Sequence, residues 1–119
     1  MRCLDTYALI EIHDENPRFL PFLEKDFIIP SLTMAEFYGI IFRRYNEQTA
    51  NYLLKKFQPF IMEVSFDIIL KSVKYRCLNK IRNISFFDAV GYTFAKENNM
   101  TFVTGDQAFK DIGGVEFIK

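Results

Sequence analysis

The sequence predicts an α/β fold in which five short parallel strands form a sheet that helices cover on both faces. Short apolar segments alternate along the chain with longer segments that have the periodicity of amphipathic helices. The 119 residues contain no linker, repeat or low-complexity segment, so we expect a single domain spanning residues 1–119. Parallel sheets of this kind bind ligands beyond the carboxyl ends of their strands.

The first 30 residues contain two predicted strands and two predicted helices. Residues 2–5 form a predicted strand that is so short that it should be buried in the middle of the sheet. Thr6 is a suitable N-cap for a helix that follows, and Pro17 suits the first turn of a second helix. Residues 27–29 are wholly apolar and are closed by Pro30, which is typical of a buried parallel strand.

The next segment contains two helices and a third strand. Ser31 or Thr33 is predicted to cap a helix whose first turns carry Glu36. Residues 47–57 form a further amphipathic helix, and residues 60–64 a strand. The apolar stripe of the first of these helices consists of Met34, Phe37, Ile41 and Tyr45.

The remaining third of the chain contains two capped helices and two strands. Ser65 is predicted to cap one helix, and Ser85 a second helix that runs to about residue 97. Residues 100–104 and 115–118 are the fourth and fifth strands. The first helix has an apolar stripe that we expect to be buried, formed by Phe66, Ile69, Leu70, Val73 and Cys77.

Composition excludes several classes of protein. Fifteen basic and fifteen acidic residues cancel, so there is no overall positive field to attract nucleic acid or membranes. Cys3 and Cys77 have no partners at zinc-ligand spacing and are predicted to be buried thiols in a reducing cytosol. No signal peptide or membrane span is predicted, so the expected location is cytoplasmic. Fourteen phenylalanines raise the expectation of an apolar partner surface.

Four acidic residues stand where the predicted sheet and helices would bring their carboxylates to one edge of the sheet. Each has an ordinary structural alternative: Asp5 as a helix cap, Glu36 as a complement to the helix dipole, Asp88 in a capping box with Ser85, and Asp106 in a turn. Four converging carboxylates repel one another unless a divalent cation binds or protons are retained. Taken together, the four acids therefore predict a metal site.

Six basic residues are candidate contacts for a phosphate backbone. Arg43 and Arg44 lie two helical turns beyond Glu36, a separation of roughly 10 to 12 Å, which suits gripping a phosphate beside a metal. The second group of candidates consists of Lys71, Lys74, Lys80 and Arg82. The alternative for this group is a charged helix face that is merely solvated.

These features resemble those of PIN-domain nucleases, in particular the small VapC-type toxins of prokaryotic toxin–antitoxin pairs. The resemblance runs from the first residue almost to the last. No single motif is specific, but the order and spacing of all four acids are. The motifs are Leu4-Asp5-Thr6, Ala35-Glu36-Phe37, Ser85-x-x-Asp88-Ala89 and Thr104-Gly105-Asp106.

The resemblance implies a three-layer α/β/α fold with strand order 3-2-1-4-5, and a ribonuclease activity. It implies that Mg2+ or Mn2+ is held by Asp5, Glu36, Asp88 and Asp106, and that Thr6 and Thr104 hydrogen-bond around these ligands. It further implies an RNA substrate, a homodimer and a cognate antitoxin that covers a groove near the site. Tyr7 is a departure, because many members have a small polar residue at this position.

Two alternative functions follow from the same residues. A PIN-like domain without catalytic activity would act as a binding or interaction module and would keep the same acids. A phosphate-accepting receiver domain has a similar size and pattern but needs a pair of acids after its first strand. Asp5 stands alone there, and the third predicted strand ends in Val64-Ser65 without an acceptor aspartate, so the receiver domain is disfavoured.

Overall fold

A computed structural model describes residues 1–119 and contains one parallel five-stranded sheet with the order β3-β2-β1-β4-β5. The predicted fold class and strand order are therefore confirmed. The strands are β1 (Arg2–Leu4), β2 (Phe27–Pro30), β3 (Ile61–Met62), β4 (Thr101–Thr104) and β5 (Val115–Phe117). The helices are α1 (Thr6–His13), α2 (Ser31–Arg44), α3 (Glu47–Phe57), α4 (Phe66–Leu78) and α5 (Phe86–Glu97). Short 3-10 helices span Leu20–Glu24, Gln58–Phe60, Lys80–Arg82 and Gln107–Phe109.

Strand β1 is the central strand and separates two hydrophobic clusters. Consecutive residues of a strand point to opposite faces of the sheet, so Cys3 and Leu4 belong to different clusters. The Leu4 side packs against α1, α2 and α3, whereas the Cys3 side packs against α5, with side chains of α4 at its edge. This division gives the three layers and leaves the end of β1, where Asp5 follows, in the middle of the sheet edge.

The exposed face of α4 contradicts the predicted burial of its apolar stripe. Phe66 is 71% exposed, Leu70 46% and Val73 43%, and Cys77 is exposed as well. Helix α4 instead packs against α5 through another face, which includes the buried Ser72. Periodicity identifies an apolar stripe but does not say which element covers it, and here no part of the chain does.

Two predicted helix caps are wrong and two are confirmed. Helix α2 has Pro30 at its N-cap and begins at Ser31, so neither Ser31 nor Thr33 caps it. The Ser31 hydroxyl instead accepts a hydrogen bond from the backbone N–H of Val64 at 3.2 Å, after β3. Thr6 is the first residue of α1 rather than its cap. The predicted caps Ser65 and Ser85 are confirmed, since each side chain accepts from a backbone N–H of its helix.

No helix of the protein combines the length and apolar character needed to cross a membrane.

Candidate active site

A pocket of about 420 Å³ opens beside the ends of β1 and β4. All four predicted acids line it, although they come from four separate parts of the chain. Each strand end or helix therefore delivers one carboxylate to the same space. The lining residues are Asp5, Thr6, Tyr7, Ile10, Glu36, Asp88, Gly105, Asp106, Gln107 and Lys119.

Asp5 is the most deeply buried of the acids, with only 2% of its surface exposed. Its Oδ1 accepts a hydrogen bond from the Ala8 N–H at 2.8 Å, so Asp5 is the N-cap of α1. Its Oδ2 is buried and has no hydrogen-bond partner. The capping role accounts for the position of Oδ1 but not for that of Oδ2. A buried carboxylate oxygen without a partner is energetically unfavourable.

Burial raises the pKa of Asp5 well above its ordinary value. The nearby Thr104 hydroxyl, which does not reach hydrogen-bonding geometry with Oδ2, and the Ala8 N–H act in the opposite direction, while the charges of Asp88 and Asp106 raise the pKa further. Without a cation, Asp5 therefore retains a proton to a higher pH than a solvated aspartate.

Glu36 faces the pocket from α2 and accepts a hydrogen bond at Oε1 from the Thr6 hydroxyl. It is the sixth residue of the helix, beyond the first turn in which an acid complements the helix dipole. The expectation that Glu36 lies near the first turn was therefore inaccurate, and the dipole alternative loses its support. The hydrogen bond ties Glu36 to the residue that directly follows Asp5.

Asp88 enters the pocket from the first turn of α5. Its backbone N–H donates to the Ser85 hydroxyl at 3.2 Å, which is the capping contact that the sequence suggested. Its carboxylate has a pKa raised to about 7, because of burial first and then of the neighbouring Asp106 and Glu36 carboxylates. Capping of α5 therefore involves the Asp88 backbone, while its side chain interacts with the other acids.

Asp106 lies two residues beyond β4, in a turn that positions its carboxylate. Its N–H donates to the Thr104 hydroxyl at 3.0 Å, and its Oδ1 accepts from the Ala108 N–H at 3.0 Å. The turn predicted from sequence is present, and it directs Asp106 into the same pocket as Asp5 and Asp88.

The donor set of this pocket fits a hard divalent cation. The donor atoms of the four acids are all oxygens, and carboxylate oxygens are the ligands that Mg2+ and Mn2+ prefer. The structure contains no group of three or more acidic, histidine or cysteine side chains already arranged to hold a metal ion. Mg2+ commonly uses only one or two carboxylates and keeps several waters. The partnerless Oδ2 of Asp5 is the atom that most requires a positive partner.

The six predicted phosphate contacts lie outside the residues that line the pocket. Lys71 forms ion pairs with Asp67 at 3.2 Å and with Glu97, and hydrogen bonds to these two carboxylates raise its pKa. Its charge is therefore compensated locally. Arg82 donates to the backbone oxygen of Ala108 at 3.4 Å. The others are exposed: Arg43 and Arg44 at the end of α2, Lys74 on α4 and Lys80 after it.

Sequence reasoning missed Lys119 as a pocket residue and the close packing at Gly105. A β-carbon on Gly105 would lie 2.5 Å from the backbone oxygen of Ile118 and still closer to the Tyr7 ring. The Thr104-Gly105-Asp106 motif suggested a turn but gave no sign of what packs on the glycine. Gly105 therefore joins β4, Tyr7 and the segment after β5 into one wall of the pocket.

Gly105→Ala is expected to destabilise the protein by about 1 to 3 kcal/mol, the usual range for overpacking. The clash with the Ile118 backbone oxygen cannot be relieved by a change of rotamer. Urea unfolding would measure the difference, with Gly113→Ala as the matched control, because nothing lies within 4 Å of a β-carbon there. Equal midpoints for the two variants would contradict the packing described.

Comparisons with known proteins were consistent with this geometry. The model of the family described as PIN domain matches residues 2–115. No curated protein matches the sequence. Similar solved structures include VapC20 of Mycobacterium tuberculosis, described as a sarcin-ricin loop cleaving toxin, with a TM-score of 0.81 and 15% identity, covering 99% of this chain and 97% of that one.

Two further similar structures are complexes. A toxin–antitoxin complex from Klebsiella pneumoniae has a TM-score of 0.76 and 23% identity, covering 98% of this chain and 96% of that one. VapBC2 from Rickettsia felis, bound to a DNA fragment from its promoter, has a TM-score of 0.78 and 19% identity, covering 99% and 98% of the two chains. At these identities, the likeness establishes the shared fold.

Proposed function

Because the chain belongs to the PIN domain family, we propose that it is a metal-dependent endoribonuclease and the toxin of a type II toxin–antitoxin pair. One observation carries the proposal: the buried Oδ2 of Asp5 lacks a partner in a pocket that three further carboxylates line. The similar structures support it, since VapC20 is described as a toxin that cleaves the sarcin-ricin loop.

The acids divide into nearer and more peripheral metal ligands. We assign direct contacts to Asp5 and Asp88, with Glu36 next, while Asp106 acts through water or completes a second ion site. Thr6 holds the Glu36 carboxylate, and Thr104 holds the Asp106 backbone. When bound, Mg2+ or Mn2+ supplies an activated water and offsets charge on the scissile phosphate. Hydrolysis by in-line attack leaves a 5′-phosphate and a 3′-hydroxyl.

Protons held in the pocket compete with the metal. The pKa of Asp88 is raised to about 7, so this carboxyl is partly protonated near neutral pH in the absence of a cation. A divalent ion must displace the proton, which makes metal affinity rise with pH.

The experiment that tests the function is an RNA cleavage assay with Mg2+ or Mn2+, repeated with excess EDTA. Cleavage that depends on the metal and yields 5′-phosphate ends supports the nuclease. Persistent absence of metal-dependent cleavage, with RNA or partner binding retained, would favour the alternative of a catalytically inactive binding module.

The cognate antitoxin is a further part of the proposal, and a groove of about 400 Å³ beside α2 is its candidate binding surface. The groove is largely apolar and lies on the same helix as Glu36, so an occupant would come close to the acids. Its lining residues are Ser31, Met34, Ala35, Tyr38, Leu54, Gln58 and Ile61.

The homodimer is proposed to form through the exposed apolar face of α4. Several large apolar side chains exposed on one helix are typical of a surface that binds another protein. Beside the three residues already described, Leu78 and Ile81 are exposed as well. The exposed large apolar residues of α4 are therefore Phe66, Leu70, Val73 and Leu78, and Ile81 is exposed in the 3-10 helix that follows.

Replacing Leu70 and Val73 together with glutamate is expected to convert the dimer to a monomer. Charges placed at the centre of an apolar interface lose their water without gaining partners. Light scattering after size exclusion measures the mass, and Lys55→Glu, at an exposed position on α3, is the control that should remain dimeric. A double variant that stays dimeric would place the interface elsewhere.

A further inference from the structure

We propose that Lys119 binds the phosphate backbone of the RNA at the edge of the carboxylate pocket. This inference rests on the proposed nuclease function and assigns a substrate contact within it. Lys119 is the one basic residue among the ten that line the pocket. Its role would be to attract the substrate to a site that is otherwise acidic.

The backbone at Lys119 is held in place from both sides. Strand β5 pairs with β4 so that Phe117 lies opposite Thr104, and the Ile118 N–H donates to the Thr104 oxygen at 2.9 Å. The Lys119 backbone oxygen accepts a hydrogen bond from the Arg18 guanidinium. The parallel pairing therefore brings Lys119 beside the turn that carries Asp106, although the two residues are separated in sequence.

The ammonium of Lys119 is not used by the protein itself. It forms no ion pair with any carboxylate, since the ion pairs of the chain involve other residues. Lys71, by contrast, is held by two carboxylates. An exposed lysine without a partner is usually only solvated, but this one lines the same pocket as the four acids.

Electrostatics explains why such a cation is useful there. Four carboxylates repel an approaching phosphate, and one divalent ion offsets only part of their charge. With formally balanced charge overall, the protein has no general attraction for RNA. A local cation at the pocket mouth lowers this repulsion where the backbone of the substrate must enter.

The test compares Lys119→Met with Lys119→Arg and with Lys55→Met. Lys55 is an exposed lysine on α3 outside the pocket and is the matched control. Initial rates of cleavage of a short single-stranded RNA in Mg2+, measured at several salt concentrations, yield KM, kcat and the salt dependence. Melting temperatures of all variants without RNA check that folding is unchanged.

Loss of one exposed phosphate contact should raise KM by roughly twofold to fivefold for Lys119→Met. The slope of log(kcat/KM) against log salt should become shallower by about 0.7, the value for one phosphate contact on a single strand. The kcat value should change little, Lys119→Arg should behave as wild type, and Lys55→Met should leave both KM and slope unchanged.

Three results would overturn the inference. Equal KM and salt slope in wild type and Lys119→Met, with RNA still cleaved, would refute the role of Lys119 and leave the nuclease intact. Unchanged KM with a lower Mg2+ requirement would show that Lys119 only neutralises the acids. A wild-type protein that neither binds nor cleaves RNA would refute both this inference and the proposed function.

Discussion

Asp5→Asn should reduce RNA cleavage by on the order of a hundredfold or more, because it removes a proposed charged metal ligand from the pocket. The amide keeps the shape of the side chain and can still accept the hydrogen bond from the Ala8 N–H through its oxygen, so α1 remains capped. Its second polar atom would be an NH2 group, which offers no lone pair to a cation. Cleavage rates at saturating Mg2+ measure the effect.

The control for this variant is Asp26→Asn, which makes the same chemical change at an exposed position outside the pocket. It should cleave RNA at the wild-type rate. The buried carboxylate of Asp5 has no partner for Oδ2, so the asparagine variant should also be at least as stable as wild type without metal. Wild-type cleavage by Asp5→Asn would remove the proposed function.

The metal-free protein should lose stability as the pH rises from about 4 to about 7. Asp88 binds its proton more tightly in the folded state, where its pKa is raised from 3.8 to about 7. The corresponding stability is complete below pH 3.8 and is lost as pH rises through about 7. The loss attributable to Asp88 is on the order of 2 to 4 kcal/mol. Unfolding in urea across this pH range, in EDTA, measures it.

Asp88→Asn isolates this contribution from the titration of other groups. The variant has no proton to lose at this position, so the difference in unfolding free energy between wild type and variant should decline with pH. Millimolar Mg2+ or Mn2+ should restore stability to the wild type near neutral pH, because the ion binds only the folded state, by about 2.7 kcal/mol at one hundred times its Kd. The restoration should be weaker at pH 5, where protons compete.

Two results would contradict the interpretation of the pocket. Parallel pH profiles of the unfolding free energy for wild type and Asp88→Asn would show that folding does not raise the pKa of this carboxyl. Equal melting temperatures with and without millimolar metal at pH 7.5 would argue against a cation site beside Asp5.

The local features of the chain were largely predictable. The run of residues 27–29 indicated a buried strand because a strand covered on both faces has no polar positions. Ser65 and Ser85 were identified as caps because their hydroxyls satisfy the free amides of a first turn. The prediction failed where burial depends on neighbours, as for Cys77, which is exposed rather than buried.

The candidate site was likewise predictable from the sequence in part. The sequence predicts that the four acids meet at one edge of the sheet, and the structure brings them to one pocket, although their role as metal ligands stays a prediction. Lys119 was not selected, because nothing near it in sequence relates it to Asp106. The pairing of β5 with β4 makes them neighbours.

By itself, the sequence determined the alternation of strands and helices, the fold class and the identity of the four acids, since these depend on local periodicity and on residue chemistry. Only the tertiary structure decided that α4 exposes its apolar face, that Asp5 has one capped and one partnerless oxygen, and that Lys119 and Gly105 shape the pocket. The reason is physical: burial and the pairing of strands are set by segments that are distant along the chain, whereas periodicity is set within a few residues.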